Sequence, residues 1–242
     1  MSRLALEPGE RGGTVVLRDG RPQSFVDLDD PEHLEFPYVQ HLAMVLDTLA
    51  AHPAPERLGV THVGGAGLTM ARWVQHTRPG SPQIVLEPDA ELTERVRAEL
   101  PLPRGHRIRV RPQDGLTGVR GLKDASADAV VVDAFDDGEV PADLLTPDFA
   151  ADCRRVVRGG GVLTMNLADT PGLARARRLA RAWAEAGWSG PLVMVATREV
   201  MRGKQPGNVV LVAGPDGAAR DWVGALRART VRMAFPTDVR TI

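Results

Sequence analysis

His62-Val63-Gly64-Gly65-Ala66-Gly67-Leu68-Thr69 is the stretch on which the reading of this chain turns. The apolar run Leu58–Val63 leads into it and the helically spaced run Leu68–His76 leaves it, so the glycines join a strand to a helix. Glycine lets a backbone turn tightly and approach a ligand, and the helix behind it aims unpaired N–H groups the same way. A plain tight turn would use the same residues. What favours a binding loop at Gly64, Gly65, Ala66 and Gly67 is position, because this turn follows the first strand of an ordered series.

That series runs through Gln83–Leu86, Ile108–Val110, Ala129–Val132, Val162–Met165, Leu192–Ala196 and Asn208–Ala213. Helical stretches at Ala90–Leu100, Leu116–Val119, Pro147–Val157 and Gly172–Ala186 alternate with it, which means crossover connections and a mainly parallel sheet. The last two strands are separated only by the loop-like Thr197–Gly207, so they should pair antiparallel. Before the series, Thr14–Leu17 and Ser24–Leu28 flank Asp19-Gly20, a hairpin signal. Pro37 to Ala51 then carries apolar residues at helical spacing. The predicted fold is α/β: a Rossmann-like, class I methyltransferase-type seven-stranded sheet with a small N-terminal β-hairpin extension. Residues 1–36 form the extension and 37–242 the nucleotide-binding catalytic domain.

Ligands in such sheets sit beyond the carboxyl ends of the strands. Glu87 ends the second strand, roughly 20 residues past the glycine turn, where a carboxylate takes both hydroxyls of a ribose and repels a phosphate there. Capping the next helix is the alternative use, and Asp89 serves that better. Asp114, in Gln113-Asp114-Gly115 after the third strand, is placed for an adenine amine or for an ordinary turn. Asp133 emerges from the buried run Val130–Val132, with Asp136 three residues on and Asp137 beside it. Carboxylates there lose hydration unless something uses them, and an amine nucleophile that must shed a proton would. A polar capping loop is the plainer reading. No histidine or cysteine neighbours the cluster, so no metal is expected.

Thirty basic residues against thirty-one acidic ones give a net charge of −1, which argues against a nucleic-acid partner. The longest apolar runs are far too short to span a bilayer, and the opening residues lack the apolar stretch of a secretory signal. The single cysteine, Cys153, sits on an apolar helix face and reads as packed. A cytoplasmic protein is expected, with no membrane partner.

Taken together, these motifs resemble the spermidine synthase (polyamine aminopropyltransferase) family from about residue 17 to 213. Leu17-Arg18-Asp19-Gly20-Arg21-Pro22-Gln23-Ser24 resembles its hairpin, and Glu35-Phe36-Pro37-Tyr38 its Glu-Phe-x-Tyr. Asp133-x-x-Asp136 resembles its Asp-x-x-Asp, and Pro141-Ala142-x-x-Leu145-Thr146-x-x-Phe149 with Gly159-Gly160-Gly161 continues the match. The resemblance implies Asp133 as catalytic base, Asp136 holding the amine, and Tyr38 and Gln23 lining the substrate pocket. It also implies S-adenosylmethionine or its decarboxylated form as co-substrate, a small amine as acceptor, and a homodimer or larger assembly. Three departures stand out. The family loop is Gly-Gly-Gly-Asp-Gly-Gly, whose aspartate grips the aminopropyl amine, and that position is Ala66 here. Val39 replaces the glutamine after the tyrosine, and aromatic residues are scarce at 4%, with Tyr38 the sole tyrosine. Without the loop carboxylate, intact S-adenosylmethionine should bind at least as well as the decarboxylated form. Aminopropyl transfer is therefore the leading expectation, methyl transfer on the same scaffold the alternative, and a non-catalytic nucleotide- or partner-binding protein the third.

Overall fold

The structure, a computed structural model, describes residues 3–49, 52–217 and 219–242. Three short strands open it, β1 (Leu4–Pro8), β2 (Thr14–Arg18) and β3 (Arg21–Val26), paired antiparallel in that order as a sheet of their own. Asp19 and Gly20 join β2 to β3 at φ of 50° and 74°, the left-handed geometry that a two-residue hairpin turn demands. The expected hairpin is present, with β1 added along its outer side.

Helix α1 (Pro37–Asp47) begins on Pro37 and stops short of the predicted end; Ala50 and Ala51 lie outside the described residues. Strand and helix then alternate through β4 (Val60–Val63), α2 (Thr69–Thr77), β5 (Gln83–Leu86), α3 (Ala90–Glu99), β6 (Ile108–Arg111), α4 (Gly115–Arg120), β7 (Ala127–Val132), α5 (Pro147–Val156), β8 (Val157–Asp169) and α6 (Ala174–Glu185). The chain ends with β9 (Leu192–Thr197), a short α7 (Arg198–Met201), β10 (Gly207–Ala213), α8 (Ala219–Arg229) and β11 (Thr237–Thr241).

The large sheet runs β6-β5-β4-β7-β8-β10-β9-β11. It is parallel from β6 to β8, and each later pairing is antiparallel. Seven strands follow the expected pattern. The eighth, β11, is a short Thr-Asp-Val-Arg-Thr segment with one apolar side chain, too polar to register as a strand in the sequence. Helix α7 occupies part of the segment read as a loop.

One face of the sheet is covered by a core that includes Phe149, Leu167, Leu179 and Trp183. The other face buries Leu42, Val45 and Leu46 of α1 with Trp73 of α2 and Trp222 of α8. Each such buried Leu or Val stabilises the fold by about 1.5–3 kcal/mol. Cys153 is fully buried in the first of these cores, and burial pushes its thiol pKa far up, as expected of a packing residue. Helix α1 therefore covers a sheet face, while its first turn, at Tyr38 and Val39, reaches the carboxyl end of the sheet. The N-terminal sheet leans on α3, where Val16 and Val26 meet Leu92 and Val96. It is tied to the start of α2 by Thr69, whose Oγ1 donates to the Phe25 carbonyl (2.7 Å) and lies 2.7 Å from Ser24 Oγ.

Strand β4 has β5 on one side and β7 on the other, so chain order reverses there. The loops leaving β4 and β7 touch at that point. Asp133 N donates to Val63 O (2.8 Å), Gly64 N donates to Leu86 O (2.9 Å), and Gly64 holds φ at 87°. A Cβ on Gly64 would overlap the Asp133 carbonyl. Gly64→Ala should therefore lower unfolding stability by about 1–3 kcal/mol, measured by urea denaturation, with an unchanged midpoint contradicting the close approach.

Candidate functional site

A cavity of about 360 Å³ opens at the carboxyl ends of β4, β5 and β7, roofed by β3 and the first turn of α1. Gln23, Tyr38, Gly64, Gly65, Ala66, Glu87, Asp114, Asp133 and Asp136 all line it. Gly67 does not. A Cβ there would run into Ser24 and Val26, so this glycine admits the N-terminal sheet and is not part of the cavity wall.

Glu87 is more engaged than its sequence position suggested. Its Oε2 accepts from Gly65 N (2.9 Å) and Ala66 N (3.1 Å), and its Oε1 from Asp89 N (3.0 Å). The carboxylate thus shapes the glycine loop, and two N–H groups of that loop already have an anionic partner. Ala66 itself sits at φ 36°, an uncommon conformation for alanine. Beneath the loop Arg72 is buried, with Nε donating to Gly67 O (3.0 Å) and Nη1 to Pro101 O (3.1 Å). Burial lowers its pKa to about 10. His62 forms part of the floor, bonded to Gln83 at 2.8 Å, and burial lowers its pKa to about 4, so it is neutral.

Asp114 caps α4 by accepting from Thr117 N at 2.8 Å, and that bond holds its carboxyl below the ordinary range. Asp89 caps α3 through Leu92 N (2.8 Å) and also pairs with Arg18 of the N-terminal hairpin. That ion pair closes one side of the cavity.

Asp133 is the most perturbed carboxyl in the cavity. Loss of hydration pushes its pKa up to about 6, against a hydrogen bond from Asn166 Nδ2 (2.9 Å to Oδ1) that favours the charged form. Asn166 is buried on β8, and its Oδ1 accepts from Asn208 Nδ2 on β10 at 3.0 Å. A chain of amides therefore fixes the carboxylate from behind. Tyr38 stacks on Phe36 with ring centroids 5.9 Å apart, and its phenol pKa is raised first by burial and then by the Asp133 charge. Asp136 is exposed at the rim, in a turn where it and Glu139 exchange backbone hydrogen bonds at 2.8 and 3.0 Å.

No family profile matches the chain. A probable spermidine synthase from Corynebacterium glutamicum superposes with a TM-score of 0.88 at 26% identity, covering 99% of this chain and 88% of that one. Among curated relatives, the polyamine aminopropyltransferases of Vibrio vulnificus and Halorhodospira halophila are 27% and 32% identical over 161 and 164 residues. Those alignments cover 65% and 63% of this chain and 52% and 56% of the relatives, so the chain matches about half their length. The chain is similar, at low identity, to members of the spermidine synthase family. Human methyltransferase-like protein 13, solved with SAH, shares the fold at a TM-score of 0.62 and 20% identity, over 81% of this chain and 93% of that one.

For this spermidine synthase relative, the amide chain behind Asp133 is the part that sequence reading missed. Asn166 lies in Met165-Asn166-Leu167, and only the antiparallel register of β8 with β10 puts Asn208 beside it. Asn166→Ala removes the bond to the ionised form, so the pKa of Asp133 should rise from about 6 by about one further unit. Carboxyl-carbon NMR titration reads this directly. Asn208→Ala should shift it the same way by less, and an unmoved pKa in both variants would remove the chain's role.

Proposed function

We propose that this protein transfers an aminopropyl group from decarboxylated S-adenosylmethionine to a small amine. The charge of the cavity carries the reading. Six carboxylates line it, from Glu87, Asp89, Asp114, Asp133, Asp136 and Asp143, against one arginine, Arg18, which is already paired with Asp89. Clefts lined by one sign of charge concentrate the opposite sign, and sulfonium nucleotides and protonated amines are both cations. The family relationship supports the same reading.

The nucleotide supplies a carbon bonded to cationic sulfur; as the amine nitrogen bonds to that carbon, the C–S electron pair leaves with sulfur as a neutral thioether. Asp133 takes the proton the nitrogen sheds. A carboxyl with a pKa of about 6 is ionised at neutral pH yet more basic than an ordinary one, which suits a general base. Asp136 at the rim holds the acceptor's second ammonium, with Gln23 and Tyr38 also lining the cavity. Glu87 has lone pairs beyond those facing Gly65, Ala66 and Asp89, and these accept the ribose hydroxyls. Asp114 takes the adenine amine with the oxygen its cap leaves free. Held in line, the two reactants need little further activation.

Ala66 taken alone argued for intact S-adenosylmethionine. Two observations weigh the other way. The N–H groups of Gly65 and Ala66 that would greet a carboxylate already face Glu87. The excess of acidic lining also disfavours any anion, so the doubly cationic decarboxylated nucleotide is preferred. Methyl transfer remains the second reading, favoured by the missing loop carboxylate at Ala66.

The test is turnover. With decarboxylated S-adenosylmethionine and a diamine, methylthioadenosine should be released only when the amine is present. The rate should fall as pH drops through about 6, because Asp133 then carries the proton it must accept. Asp133→Asn should slow turnover by about 10²-fold or more with the fold intact. Release of S-adenosylhomocysteine from intact S-adenosylmethionine would establish methyl transfer instead. Binding without turnover of either nucleotide would establish the non-catalytic reading.

A further inference from the structure

Two buried histidines are held alike and end differently. His41 and His62 are 1% and 3% exposed, and loss of hydration lowers the pKa of each to about 4, so both imidazoles are neutral. Each commits Nε2 to one neighbour, His41 to Thr237 Oγ1 (3.0 Å) and His62 to Gln83 Oε1 (2.8 Å). The Nδ1 of His41 is sealed inside the core without a partner. The Nδ1 of His62 also has no partner among the described residues, yet it is not sealed off, and this imidazole lines the cavity.

The neighbours of His62 place its proton. Gln83 Nε2 donates to the Ala71 carbonyl (3.0 Å), so the amide nitrogen faces α2 and Oε1 faces the imidazole. Oε1 can only accept, so the His62 proton sits on Nε2 and Nδ1 keeps a bare lone pair. Within the sheet, His62 is paired with Val85 of β5 and Val131 of β7, and such neighbours share one face. The glycine loop rests on that face, since a Cβ on Gly65 would come within 2.8 Å of Val85 Cγ1. Val39, Met70 and Val131 line the cavity with His62, so the lone pair stands at the foot of the loop among apolar side chains.

We propose that His62 Nδ1 accepts a hydrogen bond from the ammonium that ends the nucleotide's aminopropyl chain. This rests on the reading of the cavity as a sulfonium-nucleotide site. In that reading Glu87 and Asp114 hold the nucleoside, and Asp133 and Asp136 the acceptor, which leaves the aminopropyl ammonium without a partner. Ala66 offers it only a methyl group, which packs against the N-terminal sheet. An ammonium three methylenes from sulfur needs an apolar path with an acceptor at its end. Val39, Met70 and Val131 supply the path and His62 the acceptor. An imidazolium would repel the ammonium and has no lone pair to offer, so the neutral state of His62 is the one the contact requires.

The experiment is calorimetric titration of the full chain, native and His62→Phe, with two ligands. One is decarboxylated S-adenosylmethionine; the other is methylthioadenosine, which carries the same nucleoside and no ammonium. The variant should raise the dissociation constant of the first about tenfold or more and leave that of the second within about twofold. Nitrogen NMR of the native protein needs no variant. The unprotonated Nδ1 resonance of His62 should move when the decarboxylated nucleotide is added and stay in place with methylthioadenosine. Equal weakening of both ligands in the variant overturns the proposal and leaves His62 a floor residue. So does an unchanged affinity for the decarboxylated nucleotide with an unmoved Nδ1 resonance. If a diamine added to the methylthioadenosine complex moves that resonance while the decarboxylated nucleotide does not, His62 serves the acceptor and the proposal falls. A native protein that binds neither nucleotide overturns the sulfonium reading together with this one. Binding of both without the expected difference overturns this one alone.

Discussion

The backbone contact between Gly64 and Asp133 sets the geometry of everything around it. Parallel pairing of β4 with β7 brings the two loop exits together, and the missing Cβ at Gly64 lets them touch. From that point the glycine loop diverges toward α2 and the Asp133 segment toward its exposed turn. The space between them becomes the cavity. Parallel strands β5 and β6 then deliver Glu87 and Asp114 to the same end of the sheet without any contact between these residues being required. The site is thus a property of the sheet's order before it is a property of any side chain.

What the chain adds is an uneven charge distribution. Its net charge is −1, yet the cavity lining is heavily acidic. Most of those carboxylates are held by backbone or amide donors, Glu87 by the loop, Asp114 by α4 and Asp133 by Asn166. The bond from Thr117 holds the Asp114 carboxyl below the ordinary range, while at Asp133 lost hydration outweighs its one amide partner. The same cavity lining then carries ordinary carboxylates and a more basic one. The N-terminal sheet completes it through Arg18 on Asp89 and through Ser24 and Thr69.

Much of this was legible because strands buried on both faces are continuous apolar runs, and glycine turns mark their exits. Val130-Val131-Val132 leading to Asp133 is such a case, and the carboxylates at strand ends could be named from order alone. Other features depend on pairing across the sheet, which periodicity does not encode. Asn166 reads as one more polar residue until the register puts Asn208 behind it. Gly67 looked like its neighbours in the loop, yet its missing side chain makes room for Ser24, a residue 43 positions earlier. Helix α8 packs through Trp222, Val223 and Leu226, a narrow apolar stripe in a charged segment, and β11 has only Val239 to declare it.

Calorimetric titration of both nucleotides against the native protein at neutral pH tests the central claim most directly, that an acidic cavity at the sheet's reversal point selects the more cationic sulfonium. Decarboxylated S-adenosylmethionine should bind about tenfold or more tighter than the intact form, and added salt should narrow the gap. Intact S-adenosylmethionine binding equally well or better would contradict it. Ala66, and not the charge of the lining, would then govern the choice of nucleotide.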